Sequence, residues 1–232
     1  MSWRLKLQNV SPTIATIHVP TIASEVAKRS TNLPHREWIY RPAYMLGRHI
    51  IGYELQKILA AVDCFAQGEA KLPLGVIGWG EGGMLALYAA ALDDRISAAC
   101  VSGYFGDRRD IWRQPIDRNV FGLLDQFADA EVASLIAPRR LIIEACGGPE
   151  VVLTGPVGAP GRLGTENLSA VKAEVARAEK LINPLADAKG IHLAVSDAGR
   201  GPFGTEEVLT ALLSALAPEN KLAKMAERPQ WS

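Results

Sequence analysis

Apolar and polar residues follow two periods along this chain, and the periods trade places. Five short β-rich runs stand out: TIATIHV (13–19), LGVIG (74–78), AACVSG (98–103), LIIEA (141–145) and IHLAVS (191–196). Stretches with a helical repeat separate them, and strands alternating with helices predict an α/β fold, a mostly parallel sheet covered on both faces. In GRHIIGYELQKILAAVDCFA, residues Ile51, Leu55, Ile58, Leu59 and Val62 share one helical face, which reads as core. Met84, Leu85, Leu87, Tyr88 and Leu92 continue an alanine-rich helix, and FGLLDQFADAEVASLIAP is a further amphipathic piece that Pro138 ends. Thr165 and Thr205 are the predicted N-caps of two more helices, one carrying Leu168, Val171, Val175, Ile182 and Leu185, the other Leu209, Leu212, Leu213 and Leu216. From Cys146 to Thr165 runs a Gly- and Pro-rich loop of about 19 residues, a length at which loops are usually functional or mobile.

Composition narrows the picture. A chain of 232 residues that is 48% hydrophobic can build one sizeable α/β core but not two. The expected organisation is a single domain over 1–217 with a C-terminal extension, 218–232, and no internal repeat. Lys+Arg and Asp+Glu both number 25, so no net field steers the chain toward nucleic acid or an anionic membrane. Cys64, Cys100 and Cys146 lie in or beside apolar runs, which predicts buried thiols and no disulfide framework. No apolar run reaches the roughly 18 residues of a membrane span, and MSWRLKLQNV lacks the apolar core of an export signal, so a soluble chain is expected. No His/Cys/Asp/Glu spacing suits zinc and no phosphate loop of the form G-x-x-x-x-G-K-[ST] occurs, so neither a metal nor a cofactor is expected.

The candidate chemistry centres on GVIGWGEGGMLALYAAALD (75–93), which reads as strand, glycine turn and helix. Gly78-Trp79-Gly80-Glu81-Gly82-Gly83 matches G-x-G-x-x-G, the phosphate-binding turn of dinucleotide sites. That reading needs a carboxylate at the tip of the next strand, and the strand ends Val101-Ser102-Gly103-Tyr104. The other reading is a nucleophile elbow, G-x-Ser-x-G, with Gly78 and Gly82 as the small flanking residues and Gly80 where the nucleophile belongs. Shifting the register to make Glu81 the nucleophile puts Trp79 where a small residue is required.

IGWGEGGMLALYAAALDDRISAACVSGYF resembles the elbow, helix and following strand of α/β-hydrolases of the dienelactone-hydrolase and acetyl-xylan-esterase-like group. LGRHIIGYELQKILAAVDCF is similar to the helix before the elbow, APRRLIIEACGGPE to the strand bearing the catalytic acid, and AVSDAGRGPFGTEEVL to the last strand, histidine loop and final helix. The resemblance covers about residues 12–217 and implies a three-layer sandwich with a reduced sheet of about five to six strands. It puts the nucleophile position at Gly80, the acid at Glu150 and the histidine position at Arg200. Trp79, Glu81 and Gly82, with His35, Arg36 and Trp38 of NLPHREWIYRPAYMLGR, become the expected pocket wall.

Two of the three catalytic positions lack the required group. Glycine offers no nucleophilic atom, and an arginine stays protonated and cannot act as base. Among possible replacements, His18, His35, His49 and His192 each read more simply as structural, and neither Cys100 nor Ser102 has a base placed beside it by sequence. Glu81 and Glu150 form a carboxylate pair only if both face the pocket, and Glu81 paired with an arginine is the plainer reading. The leading expectation is a catalytically degenerate module that binds or scaffolds, with Arg200 and the elbow amides offering a place for a small anionic ligand. An ester hydrolase using other groups and a dinucleotide-binding oxidoreductase are the alternatives. Little sequence precedes the TIATIHV strand, so the chain is either a minimal version of the fold or one whose sheet edge is covered by other sequence or by a homo-oligomer.

Overall fold

Parallel pairing of four strands sets the frame. The computed structural model describes residues 33–67, 72–154, 158–184 and 190–217; the expected strand at 13–19 with His18, Leu185 and the extension 218–232 lie outside them. The elements in order are α1 (His35–Met45), α2 (Ile50–Ala66), β1 (Leu74–Trp79), α3 (Glu81–Leu92), β2 (Ile96–Ser102), α4 (Asp129–Ser134), β3 (Arg140–Ala145), β4 (Val151–Leu153), β5 (Gly161–Leu163), α5 (Leu168–Ile182), β6 (Ile191–Val195) and α6 (Glu206–Leu216). Among the described residues the main sheet has the order β1-β2-β3-β6, all parallel, while β4 and β5 form a separate antiparallel pair.

Alternation along each strand sends successive side chains to opposite faces and so divides the core in two. Ile96, Ala99 and Val101 of β2 and Leu141 and Ile143 of β3 face α2, α3, α4 and α5. Ala98, Cys100, Ile142 and Ala194 face Val208 and Leu212 of α6. The result is helix, sheet, helix. The stripe expected on α2 is present, with Ile51 and Val62 buried and Leu55 and Ile58 packed against the core. Helix α3 presses hardest on the sheet, and Leu87, Ala89 and Ala90 have no exposed surface.

Three local expectations change. FGLLDQF forms a 3-10 turn at Leu123–Asp125, and the helix starts only at Asp129, where Glu131 reaches back to accept from Ala128 N–H at 2.9 Å. Helix α5 is capped by Asn167, whose Oδ1 accepts from Ser169 N at 2.9 Å, while Thr165 accepts from Gly148 N at 3.1 Å. Cys100 and Cys146 are buried as expected, but Cys64 is exposed, and all three are free thiols. The long loop after β3 contains the β4–β5 hairpin, tied to α1 by Ala159 N, which donates to both oxygens of buried Glu37 at 3.0 Å. Among the described residues no helix is long and apolar enough to cross a membrane.

His49 caps α2. Its Nδ1 accepts from Ile51 N at 3.2 Å, which leaves Nε2 as the protonated nitrogen facing the Asn119 carbonyl at 3.3 Å. Burial holds the imidazole below its ordinary value, and the Asn119 contact opposes this in part. A cap that must be neutral stabilises fully above the unfolded-state value of about 6.5 and is lost as pH falls through the lower folded-state value. Urea midpoints for the parent and His49→Asn at pH 7.5 and 5 should therefore diverge, the parent losing about 1 kcal/mol more on acidification. Equal losses would remove His49 from the cap.

Candidate functional site

The turn after β1 is built by contact, residue by residue. A Cβ on Gly78 would overlap the carbonyl of Gly82, so glycine is obligatory where the helix folds back over the strand. Gly80 adopts φ 56°, ψ −115°, its N–H donates to Ser102 O at 2.9 Å, and its carbonyl accepts from Met84 N at 3.1 Å. This is a sharp strand-to-helix turn held at both ends. A Cβ on Gly82 would meet open space, whereas one on Gly83 would lie 3.0 Å from Ser102 O. The pair of small residues expected at Gly78 and Gly82 is thus strict only at Gly78.

Three loops converge at the C-terminal ends of the strands. From the loop after β3, Pro149 lies over the turn: a Cβ on Gly80 would stand 2.9 Å from its Cγ and Cδ. Trp79 Nε1 donates to Gly147 O at 2.7 Å, Gly147 N donates to Gly201 O at 2.9 Å, and the Trp79 and Phe203 rings stack at 5.3 Å. The structure thereby brings together the turn, the loop bearing Glu150 and the loop bearing Arg200. Glu150 is exposed, with Oε1 3.4 Å from Thr165 Oγ1. Arg200 is exposed at the end of a turn in which Asp197 and Ala198 both have positive φ, at 41° and 53°.

Of the other expected pocket residues, Glu81 opens α3 directly after Gly80. His35 and Trp38 are exposed on α1. Arg36 has no exposed surface; it pairs with Glu54 and, at 2.7 Å, with Asp117. Burial alone would lower its pKa, but those two carboxylates outweigh it and keep the guanidinium firmly protonated. Glu81 pairs with Arg118 at 2.9 Å and not with Arg200.

Two buried polar clusters were not foreseen. Glu144, 1% exposed within β3, accepts from Ser102 Oγ at 2.5 Å, Gly204 N at 2.9 Å and both Thr205 N and Oγ1 at 3.0 Å. It anchors the Arg200 loop and the start of α6 to the sheet. The signal was a lone carboxylate inside the apolar run LIIEA, where burial demands partners. In the second cluster Arg108 pairs with Asp129 at 2.9 Å and Glu166 at 3.0 Å and covers the Tyr104 ring at 4.1 Å. Burial pushes the Asp129 carboxyl up despite its partner and holds the Tyr104 phenol well above its ordinary value. Beside it lies a cleft of about 10 Å³, lined by residues such as Arg118, Val120, Leu124 and Phe127, room for about one water. Among the described residues no group of His, Cys, Asp and Glu is arranged to hold a metal.

A parallel sheet with helices on both faces and a strained strand-to-helix turn at its C-terminal edge defines the class: the chain has an α/β-hydrolase fold. It is similar to a candidate acetyl xylan esterase of Bacteroides fragilis NCTC 9343, at 11% identity and a TM-score of 0.54 over 82% of this chain and 49% of that one. A glucuronoyl esterase of Solibacter usitatus is 14% identical over 73% of this chain and 48% of that chain, with a TM-score of 0.49. In sequence, the candidate hydrolase YtaP of Bacillus subtilis (strain 168) is 33% identical over 110 residues, 44% of this chain and 36% of that protein. The chain therefore spans about a third of YtaP's length and half that of the Bacteroides protein. No known family profile matches it.

Proposed function

We propose that this chain is a catalytically silent α/β-hydrolase-fold module that acts by binding or as a scaffold. The observation that carries the reading is Gly80: it sits at φ 56°, ψ −115° in the sharp turn where the resemblance puts the nucleophile, carries no reactive atom, and has the Pro149 ring where a side chain would emerge. The base is missing as well, because Arg200 cannot accept a proton at ordinary pH. Substitutes nearby are committed elsewhere. Ser102 is fully buried and spends its proton on Glu144, and burial pushes the Cys100 and Cys146 thiols up to about 12. Within this reading the expected occupant is a small anionic ligand drawn by the exposed Arg200, the Glu81 carboxylate being already held by Arg118.

A panel of acetyl, methyl and aryl esters tests the proposal. The parent and Gly80→Ser should both stay below about 10 M⁻¹s⁻¹ in kcat/KM, against the 10⁴ M⁻¹s⁻¹ or more of working enzymes. Parent turnover approaching that level, and lost in Ser102→Ala or Cys100→Ala, would overturn the reading and expose a nucleophile.

A further inference from the structure

The segment between β2 and α4 is fastened by charge. Arg108 pairs with Asp129 at 2.9 Å and Glu166 at 3.0 Å, Arg118 with Glu81 at 2.9 Å, and Asp117 with Arg36 at 2.7 Å, which also holds Glu54. These pairs tie residues 103–128 to α1, α2, the head of α3 and the loop before α5. Arg108 and Arg118 both lie over the Tyr104 ring, at 4.1 and 5.4 Å, and Asp117 directly precedes Arg118, so the pairs share one buried neighbourhood.

The charges there do not balance. Among the described residues three arginines face five carboxylates, and Glu54, Asp117 and Asp129 are each no more than 4% exposed. Groups around them supply no spare cation. Glu174, which approaches Asp129, shares Arg177 with Glu131; burial keeps His49, near Asp117, neutral; and Tyr40, Tyr88 and Tyr104 are phenols. A buried carboxyl that lacks a cation of its own is cheaper to keep protonated than charged. Burial accordingly pushes the carboxyls of Glu54, Asp129 and Glu166 above their ordinary values, and their arginines offset this only in part.

We infer that this segment is a pH-sensitive clasp, closed while its surplus carboxyls keep their protons and loosened as rising pH removes them. A carboxyl whose folded-state pKa is raised contributes stability below its unfolded value of about 4 and loses it as pH rises through the folded one. The His49 cap works in the opposite sense, firming as pH rises, so direction tells the two apart. Glu81 follows Gly80 directly, so loosening of Arg118 reaches the turn.

Amide hydrogen exchange of the full chain from about pH 5 to 8, corrected for the intrinsic pH dependence of exchange, is the test. Each proton released on opening favours the open form about tenfold per pH unit, so protection across the segment should fall by at least about tenfold over this range. Asp129→Asn with Glu54→Gln keeps the side-chain shapes and removes two titrations, and its protection should stay level within about threefold. Infrared spectra of the parent near about pH 6 should show the C=O band of a neutral carboxyl, weaker in the double variant. Level protection in the parent, an equal fall in the double variant, or no neutral carboxyl in the parent would overturn the inference.

Discussion

Replacing Arg36 by methionine is expected to lower the unfolding free energy by about 3–5 kcal/mol at pH 8, read from urea midpoints. The stem and most of its packing are kept, so the loss is that of the charge. It strands Glu54 and Asp117, 4% and 2% exposed, without the cation that faces both. A buried carboxylate without a partner is disfavoured in its charged form, so its folded-state pKa rises above the unfolded value of about 4. Stability tied to such a group is fully present below the unfolded pKa and is lost as pH rises through the folded one. The deficit of Arg36→Met should therefore shrink between pH 8 and pH 5, and Glu54→Gln with Asp117→Asn in the same chain should recover part of it at pH 8. A loss under about 1 kcal/mol, or one indifferent to pH, would mean that the triad contributes little to folding.

Arg36 also marks where sequence reasoning stops. Read along the chain, it is an arginine of the expected pocket wall; folded, it meets Asp117, 81 residues away, and Glu54 on the next helix. Periodicity cannot announce such partners, because nothing local distinguishes an arginine that will be buried from one that will not. What periodicity does carry is the frame. β1, β2, β3 and β6 fall on four of the five β-rich runs, and α2, α3, α5 and α6 on the apolar stripes, since burying a face imposes a repeat on the residues that form it. Caps were legible in part. Thr205 stands at the head of α6, although its hydroxyl serves Glu144, while Asn167 displaced Thr165 at α5. The position of Gly80 could be counted from the spacing of its neighbours, but the Pro149 ring above it could not, because it arrives from a loop nearly seventy residues on, a length that carries no register. Glu144 was the readable exception, a charge inside a buried strand whose parallel neighbour is Ser102.

The glycines of the turn look alike in sequence, yet they should respond very differently to a single methyl group. Gly78→Ala is expected to cost at least about 4 kcal/mol or to leave the chain unfolded, because its Cβ would overlap backbone at the start of α3 and only a shift of the helix could relieve it. Gly82→Ala, in the same helix with open space around it, should stabilise by about 0.5–1 kcal/mol through helix propensity alone. Gly80→Ala should fall between, costing about 2–3 kcal/mol for a side chain at φ 56° pressed on Pro149. Part of that cost belongs to the ring, so Gly80→Ala should be milder in a Pro149→Ala background, a coupling that a double-mutant cycle isolates. Thermal or urea unfolding of the four single variants and the double variant reads the whole series. Equal costs at Gly78 and Gly82 would show that the turn does not bear on α3 as described. An additive cycle would take the Pro149 ring away from Gly80, and with it one of the two reasons for regarding the nucleophile position as closed.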